Sequence, residues 1–245
     1  MKKIFFIILA IIGLCLTALF ILGYFESKAI EANLNKNKEE EEYLLSLQAS
    51  DYYEKAEQGD ARAQHNLANC YYFGHSIEKN YEQAAYWYRK AAEQGLASAQ
   101  NALGSLYRIG QSVDKNDERA VYWYRKSAEQ GFARAQHNLG LSYFNGRGVN
   151  RNFEQAAYWI HKSAEQGIAI SQSTLGTYYL NGLGVAQNDS QAVYWFRKAA
   201  EQGNAQAQYN LGLCYRDGKG VRKNRIRATN WIYRAKRQGF ELIYE

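Results

Sequence analysis

From residue 60 onward, apolar residues fall into two alternating helical patterns. In the first, Ala63, Leu67, Cys70, Tyr71 and Gly74 stand at i, i+4, i+7, i+8 and i+11; in the second, Ala84, Tyr88, Ala91 and Ala92 stand at i, i+4, i+7 and i+8. Each set forms one apolar stripe on a helix of 3.6 residues per turn. Glycine turns separate them: GHSI, GQSV, GRGV, GLGV and GKGV begin at residues 74, 110, 146, 182 and 218. An asparagine follows every turn: Asn80, Asn116, Asn152, Asn188 and Asn224. Asparagine is a strong N-cap because its side-chain oxygen accepts from the unpaired amides of a first turn. Gln83, Gln155 and Gln191 stand three residues later, as in a capping box. Gly59, Gly95, Gly131, Gly167, Gly203 and Gly239 suit left-handed C-caps. The predicted unit is helix A, turn, helix B, turn.

The unit repeats without insertion. The AEQG tetrad at 56–59 returns at 92–95, 128–131, 164–167 and 200–203, and each terminal glycine is 36 residues from the last. Trp87, Trp123, Trp159, Trp195 and Trp231 keep this interval. A fixed period of this size means stacked supersecondary units sharing a continuous core. The expected fold is all-α, a solenoid of antiparallel helix pairs, with repeats at 60–95, 96–131, 132–167, 168–203 and 204–239. The tryptophan column reads as core, and loss of the central Trp159 is expected to uncouple the two halves. Residues 29–59 form a charged connector and capping helix, and 240–245 a tail.

Two stretches carry a family resemblance: Ala63-Gln64-x-Asn66-Leu67-x-x-x-Tyr71-x-x-Gly74, and Ala84-x-x-Trp87-Tyr88-Arg89-Lys90-Ala91-Ala92-Glu93-Gln94-Gly95. The pattern resembles the Sel-one-like repeat (SLR), a relative of the tetratricopeptide repeat, in all five copies over 60–239. Resemblance implies a right-handed superhelix with helix A on the concave face, and scaffold or adaptor roles. A cysteine-rich branch of the family has a disulfide in each repeat and a link to β-lactams. Here Cys70 and Cys214 are the only cysteines outside the N-terminal apolar run, so neither property carries over.

Residues 1–28 are a separate object. After Lys2 and Lys3, residues 4–25 run without a charge. At about 1.5 Å per residue they span about 33 Å, enough for a bilayer core of about 30 Å. A cleaved secretory signal has a shorter apolar region and a small-residue site; cleavage after Ala29 is the alternative to an uncleaved anchor. Leu14 before Cys15 argues against lipidation. The two lysines favour a cytoplasmic N-terminus, which puts the repeats outside an inner membrane, in the periplasm of a bacterium.

Composition and charge refine the picture. The chain is 47% hydrophobic and 15% aromatic with no proline, a composition for ordered helices rather than disorder. Residues 60–239 hold 24 Lys+Arg against 13 Asp+Glu, net +11, whereas 26–59 hold 4 against 9, net −5. The last repeat has nine cations, Arg216, Lys219, Arg222, Lys223, Arg225, Arg227, Arg234, Lys236 and Arg237, against Asp217 alone. Such an end either attracts an anionic partner or keeps a terminal repeat solvated. Cys70 and Cys214 are four periods apart, too far for an intramolecular disulfide, whose Cα atoms lie within about 7 Å. No His/Cys/Asp/Glu set has metal spacing, the GxGV turns lack the lysine and hydroxyl of a phosphate loop, and no nucleophile–base–acid set stands out. No cofactor, small-molecule substrate or nucleic acid is implied.

Candidate binding residues lie on helix A. Asn66, Ala102, Asn138, Thr174 and Asn210 precede the leucine anchors, and His65, Asn101, His137, Ser173 and Tyr209 come one position earlier. The similarly placed asparagine faces the groove in tetratricopeptide domains that clamp a peptide carboxylate. Asn66, Asn138, Asn210, His65 and His137 are therefore the candidates for an extended or acidic peptide; the competing reading has the asparagines bonding between repeats. Three function classes remain: a non-catalytic envelope scaffold or adaptor binding a protein or peptide, a toxin-neutralising immunity protein, and, against the missing catalytic set, a wall-associated enzyme.

Overall fold

The computed structural model describes residues 49–75 and 77–240. The apolar N-terminal segment, most of the connector and residues 241–245 lie outside the described residues, and among the described ones no helix is long and apolar enough to cross a membrane.

The described chain is all helix and turn. Residues 49–57 form α1, which precedes the first full pair. The A and B helices then alternate as α2 (Ala61–Phe73), α3 (Tyr81–Glu93), α4 (Ala97–Ile109), α5 (Asp117–Glu129), α6 (Ala133–Asn145), α7 (Phe153–Glu165), α8 (Ala169–Asn181), α9 (Asp189–Glu201), α10 (Ala205–Asp217) and α11 (Arg225–Arg237). Each of these ten is 13 residues long. A helix this short is marginal alone, so its stability comes from packing. Each A helix packs most heavily on its own B helix, and α4, α6, α8 and α10 next on the B helix before them. The buried residues divide into four clusters along the array instead of one centre.

The turns follow from local chemistry. The A helices end on Gly74, Gly110, Gly146, Gly182 and Gly218, all left-handed at φ between 66° and 76°. All five predicted asparagine caps accept from the amide three residues on, as Asn152 Oδ1 does from Gln155 N at 2.8 Å. The expected capping-box reciprocity is replaced by a different pairing. The amides of Asn80, Asn116, Asn152, Asn188 and Asn224 donate to the carbonyls of Tyr71, Tyr107, Tyr143, Tyr179 and Tyr215 at 2.8–3.0 Å. The cap amide is thus used to tie each B helix to the end of its A helix, a bond that a side chain three residues on cannot make.

The tryptophan column packs against the core at two different depths. Trp87 and Trp195 are buried, at 2% and 5% exposure. Trp123, Trp159 and Trp231 are half-buried. The next position, Tyr88, Tyr124, Ile160, Phe196 and Ile232, is the deeper of the two in the three central repeats. Tyr124, Ile160 and Phe196 are 0–1% exposed. Their space is made by glycines on helix A. A Cβ added to Gly104, Gly140, Gly176 or Gly212 would come within 2.6–2.8 Å of Tyr124, Ile160, Phe196 or Ile232. The tryptophans flank that contact, and each has a lysine or arginine 4.8–5.6 Å from its ring centre.

Candidate interaction surfaces

The positions along helix A differ sharply in their environment. Gln64, Gln100, Gln136, Gln172 and Gln208 are buried. Each donates to a carbonyl at the end of the preceding helix, Ala56, Ala92, Ala128, Ala164 or Ala200, at 3.0–3.2 Å. Each accepts from the AEQG-type glutamine of its own repeat, Gln94, Gln130, Gln166, Gln202 or Gln238, at 2.7–2.9 Å. One amide thereby satisfies a carbonyl among the last four of a helix and joins three consecutive segments. Gln166 and Gln202 also donate to Gly131 and Gly167 carbonyls at 2.8 and 3.0 Å. The recurrence of both glutamines at 36 residues was the sequence signal for this network.

The candidate residues one and two positions further on are placed unevenly. His65 is half-buried, its ring 5.5 Å from that of Tyr88 and its Nδ1 buried without a partner. His137 is buried, and its Nδ1 lies 2.9 Å from Ser171 Oγ, which is itself 2.7 Å from Ser163 Oγ. Burial lowers the pKa of both histidines below the ordinary value of 6.5. Asn138 Nδ2 donates to Asn101 Oδ1 at 2.9 Å, a bond between neighbouring A helices. Asn210 accepts from Gln206 on its own helix at 3.1 Å, and Asn66 is half-buried. Asn138 also lines a cavity of about 170 Å³ with Arg108, Asp117 and Arg147. These residues do not converge on one centre; they are spread along the stack.

The B helices present a second ladder. Tyr86, Tyr122, Tyr158 and Tyr194 are 45–50% exposed. Each meets the adjacent tryptophan edge-on at 5.0–5.1 Å. Lys90, Lys126, Lys162 and Lys198 lie 4.7–4.9 Å above these tyrosines. Cys70 and Cys214 are free thiols; Cys214 is buried and its pKa is pushed up to about 11, mainly by burial. Among the described residues no group of three or more His, Cys, Asp or Glu is placed to hold a metal ion.

A stack of helix pairs whose interior is given over to self-packing, with polar groups along its faces, defines the class of helical-repeat interaction proteins. The chain belongs to the Sel1 repeat family, matched at residues 61–96, 97–132, 133–168, 169–204 and 205–240. Among solved structures it is similar to a protective antigen of uropathogenic Escherichia coli that displays an SLR fold. The two share 37% identity at a TM-score of 0.74, covering 77% of this chain and 40% of the antigen. The chain thus corresponds to about two fifths of that protein. It is also similar to a Sel1 repeat protein from Oxalobacter formigenes, with 36% identity and a TM-score of 0.70 over 75% of this chain and 76% of that one. An immunity protein from Pseudomonas aeruginosa shares the fold alone, at 21% identity and a TM-score of 0.51 over 77% of this chain and 72% of that one. No curated protein matches the chain.

Proposed function

We propose that the protein is a non-catalytic scaffold or adaptor that holds a protein or peptide partner on the A-helix face of its solenoid. This is the concave face in the family's right-handed superhelix. The carrying observation is the contrast on helix A: the glutamines are consumed by the stack, while the following positions change chemistry from copy to copy. The apolar segment 4–25 supports a single-pass inner-membrane anchor with the repeats in the periplasm, or a signal cleaved after Ala29. A C-terminal alkaline phosphatase fusion should be active, and the mature N-terminus separates anchor from cleaved signal.

Site-specific photo-crosslinkers test the face itself. Placed at Asn66, Ala102, Thr174 and Asn210 in the full chain, they should give one discrete adduct. Placed at Tyr86, Tyr122 and Tyr158, they should not. Adducts from the tyrosine ladder alone would move the working surface to the B helices. The fold shared with an immunity protein supports toxin neutralisation as a second reading. A secreted enzyme inhibited on binding, as the adduct's second component, would select it.

A further inference from the structure

The turn between helices A and B forms a pocket at both ends of the array, in the same structural place. In the first repeat it measures about 670 Å³ and is lined by Tyr53, Glu57, Glu78 and Lys79, among others. In the fifth it measures about 680 Å³ and is lined by five cations, Arg197, Arg222, Lys223, Arg225 and Arg227. The residues four periods earlier are Tyr53, Glu78, Lys79, Tyr81 and Gln83, so one cation has become five. The intervening copies act as internal controls. The same five positions hold Arg89, Asp114, Lys115, Asp117 and Arg119 in the second repeat, and Arg125, Asn150, Arg151, Phe153 and Gln155 in the third. In the fourth they hold His161, Ala186, Gln187, Asp189 and Gln191, without a lysine or arginine. Only the fifth copy has all five positions cationic, so turn geometry does not demand the charge.

The cations are organised around Tyr215. Its hydroxyl accepts from Arg197 Nη2 at 3.1 Å and from Arg227 Nη1 at 3.3 Å, and the Arg227 guanidinium lies 5.6 Å from its ring centre. Burial alone would raise the tyrosine's pKa, but the two guanidiniums outweigh it and hold it below the ordinary value. No carboxylate lines the pocket among the described residues. Asp217 nearby is taken by Arg216 in a two-bond pair at 2.8 and 3.0 Å. Each guanidinium has five N–H donors, so Arg197 and Arg227 keep most of theirs while fixed in place. Preorganised arginines favour oxyanions that accept two bonds at once. The site is also partly apolar. Val221 and Ile226 line it, and Ile226 is 76% exposed where the other copies have Glu82, Glu118, Glu154 and Ser190.

We propose that this fifth-repeat pocket binds an acidic peptide segment, two or more carboxylates flanking an apolar side chain, and so forms part of the contact with the protein partner. The inference rests on the partner-binding reading given above. Carboxylates engage Arg197, Arg222, Arg225 and Arg227, and the apolar side chain covers Ile226 and Val221. A bare phosphate would satisfy the arginines and leave the apolar wall in water, which is why a peptide is the better occupant.

The test transplants the fourth copy's turn into the fifth: Arg222→Ala, Lys223→Gln, Arg225→Asp, Ile226→Ser and Arg227→Gln. Each incoming residue already occupies its matching position in the fourth repeat. The full chain should keep its circular dichroism and melting temperature. Binding of a short fluorescein-labelled peptide of alternating Glu and Leu, read by anisotropy, should weaken by more than about thirtyfold. It should also weaken between about 50 and 200 mM salt. If the exchanged chain does not fold, Arg225→Asp alone should weaken binding about fivefold. Affinity within about twofold of the unaltered chain would overturn the proposal. So would equal binding of a Gln–Leu peptide, or inorganic pyrophosphate competing as well as the acidic peptide. Peptide binding lost with the photo-crosslinked partner still captured would remove the pocket from that contact and leave the scaffold reading intact. Peptide binding kept with no adduct anywhere would do the reverse.

Discussion

Gln136 and Asn138 are two residues apart on one helix, and both bond across a repeat boundary, yet they belong to different economies. The Gln136 position is glutamine in all five copies, with the same two partners each time. The Asn138 position is Asn, Ala, Asn, Thr and Asn, and its bonds run to a neighbouring helix in one copy and within its own helix in others. What recurs here is what fixes the spacing of one repeat on the next. The B helices teach the complementary lesson. The tryptophan recurs in every copy but is half-buried in three, while the place beside it, fully buried in the three central copies, accepts Tyr, Ile or Phe. Directional bonds and edge contacts need one residue type. Core volume only needs an apolar shape that fits its neighbour, because cores tolerate volume-conserving exchange.

The largest effect should come from the core position. Ile160→Ala is expected to cost about 3–4 kcal/mol, since Ile160 is 0% exposed and Gly140 offers no side chain to fill the gap. Trp159→Ala should cost less, about 2 kcal/mol, because part of that side chain already faces water. Urea unfolding midpoints compare them, and a reversed order would restore the tryptophans as the main core column. Next is Gln136→Leu, at about 1–2 kcal/mol. It takes a donor from the Ala128 carbonyl and an acceptor from Gln166. Asn138→Ala should cost under about 1 kcal/mol, since its partner Asn101 is only half-buried and stays hydratable. Equal costs would collapse the distinction between the two rows.

How much of this was legible in advance depends on what kind of interaction is involved. The 36-residue period, the helix pairs and the asparagine caps could be read because each follows from a local rule applied five times. Depth within the stack was less legible. Apolar periodicity marks a stripe but does not say which of two adjacent aromatics, Trp159 or Ile160's counterparts, sits at its centre; that depends on Gly140 across the helix pair. The glutamine network was visible as recurrence but not as bonding, because its partners are 8 and 30 residues away. The turn pocket of the fifth repeat was visible only as charge, until the structure placed Arg197 from the preceding repeat beside Arg227.

A smaller effect concerns pH. His65 and His137 have folded pKa values below the ordinary 6.5 because burial penalises the charged ring. The unfolded chain therefore binds protons that the folded chain does not. Their contribution to stability is complete above the unfolded pKa of about 6.5 and is lost progressively as pH falls below it. The melting temperature should fall from pH 7 to pH 5.5. His137→Gln, which keeps a polar partner for Ser171, should flatten part of that fall. An unchanged slope would mean that His137 protonates within the fold and is reachable from solvent, as the groove reading of this row requires.

The smallest effect separates the early turns from the late ones. Ser112 is the one non-glycine residue with positive φ among the described residues, at 54°. Its counterparts, also two residues after the opening glycine of the later turns, are Gly148, Gly184 and Gly220, at φ between 64° and 68°. There the missing Cβ lets the turn rest on the first-turn carbonyl of the preceding B helix, Asp117, Phe153 or Asp189. A left-handed L-residue costs about 1–2 kcal/mol. Glycine brings back about 0.5–1 kcal/mol of lost chain entropy. Relief of strain is the larger quantity, so Ser112→Gly should stabilise the second repeat by about 0.5–1 kcal/mol. The gain should appear as slower amide exchange in α4 and α5, with little change in α8 to α11, because repeats couple mainly to their neighbours. Destabilisation instead would show that the Ser112 side chain contributes more than its backbone costs, and that the early turns are built on a different principle from the late ones.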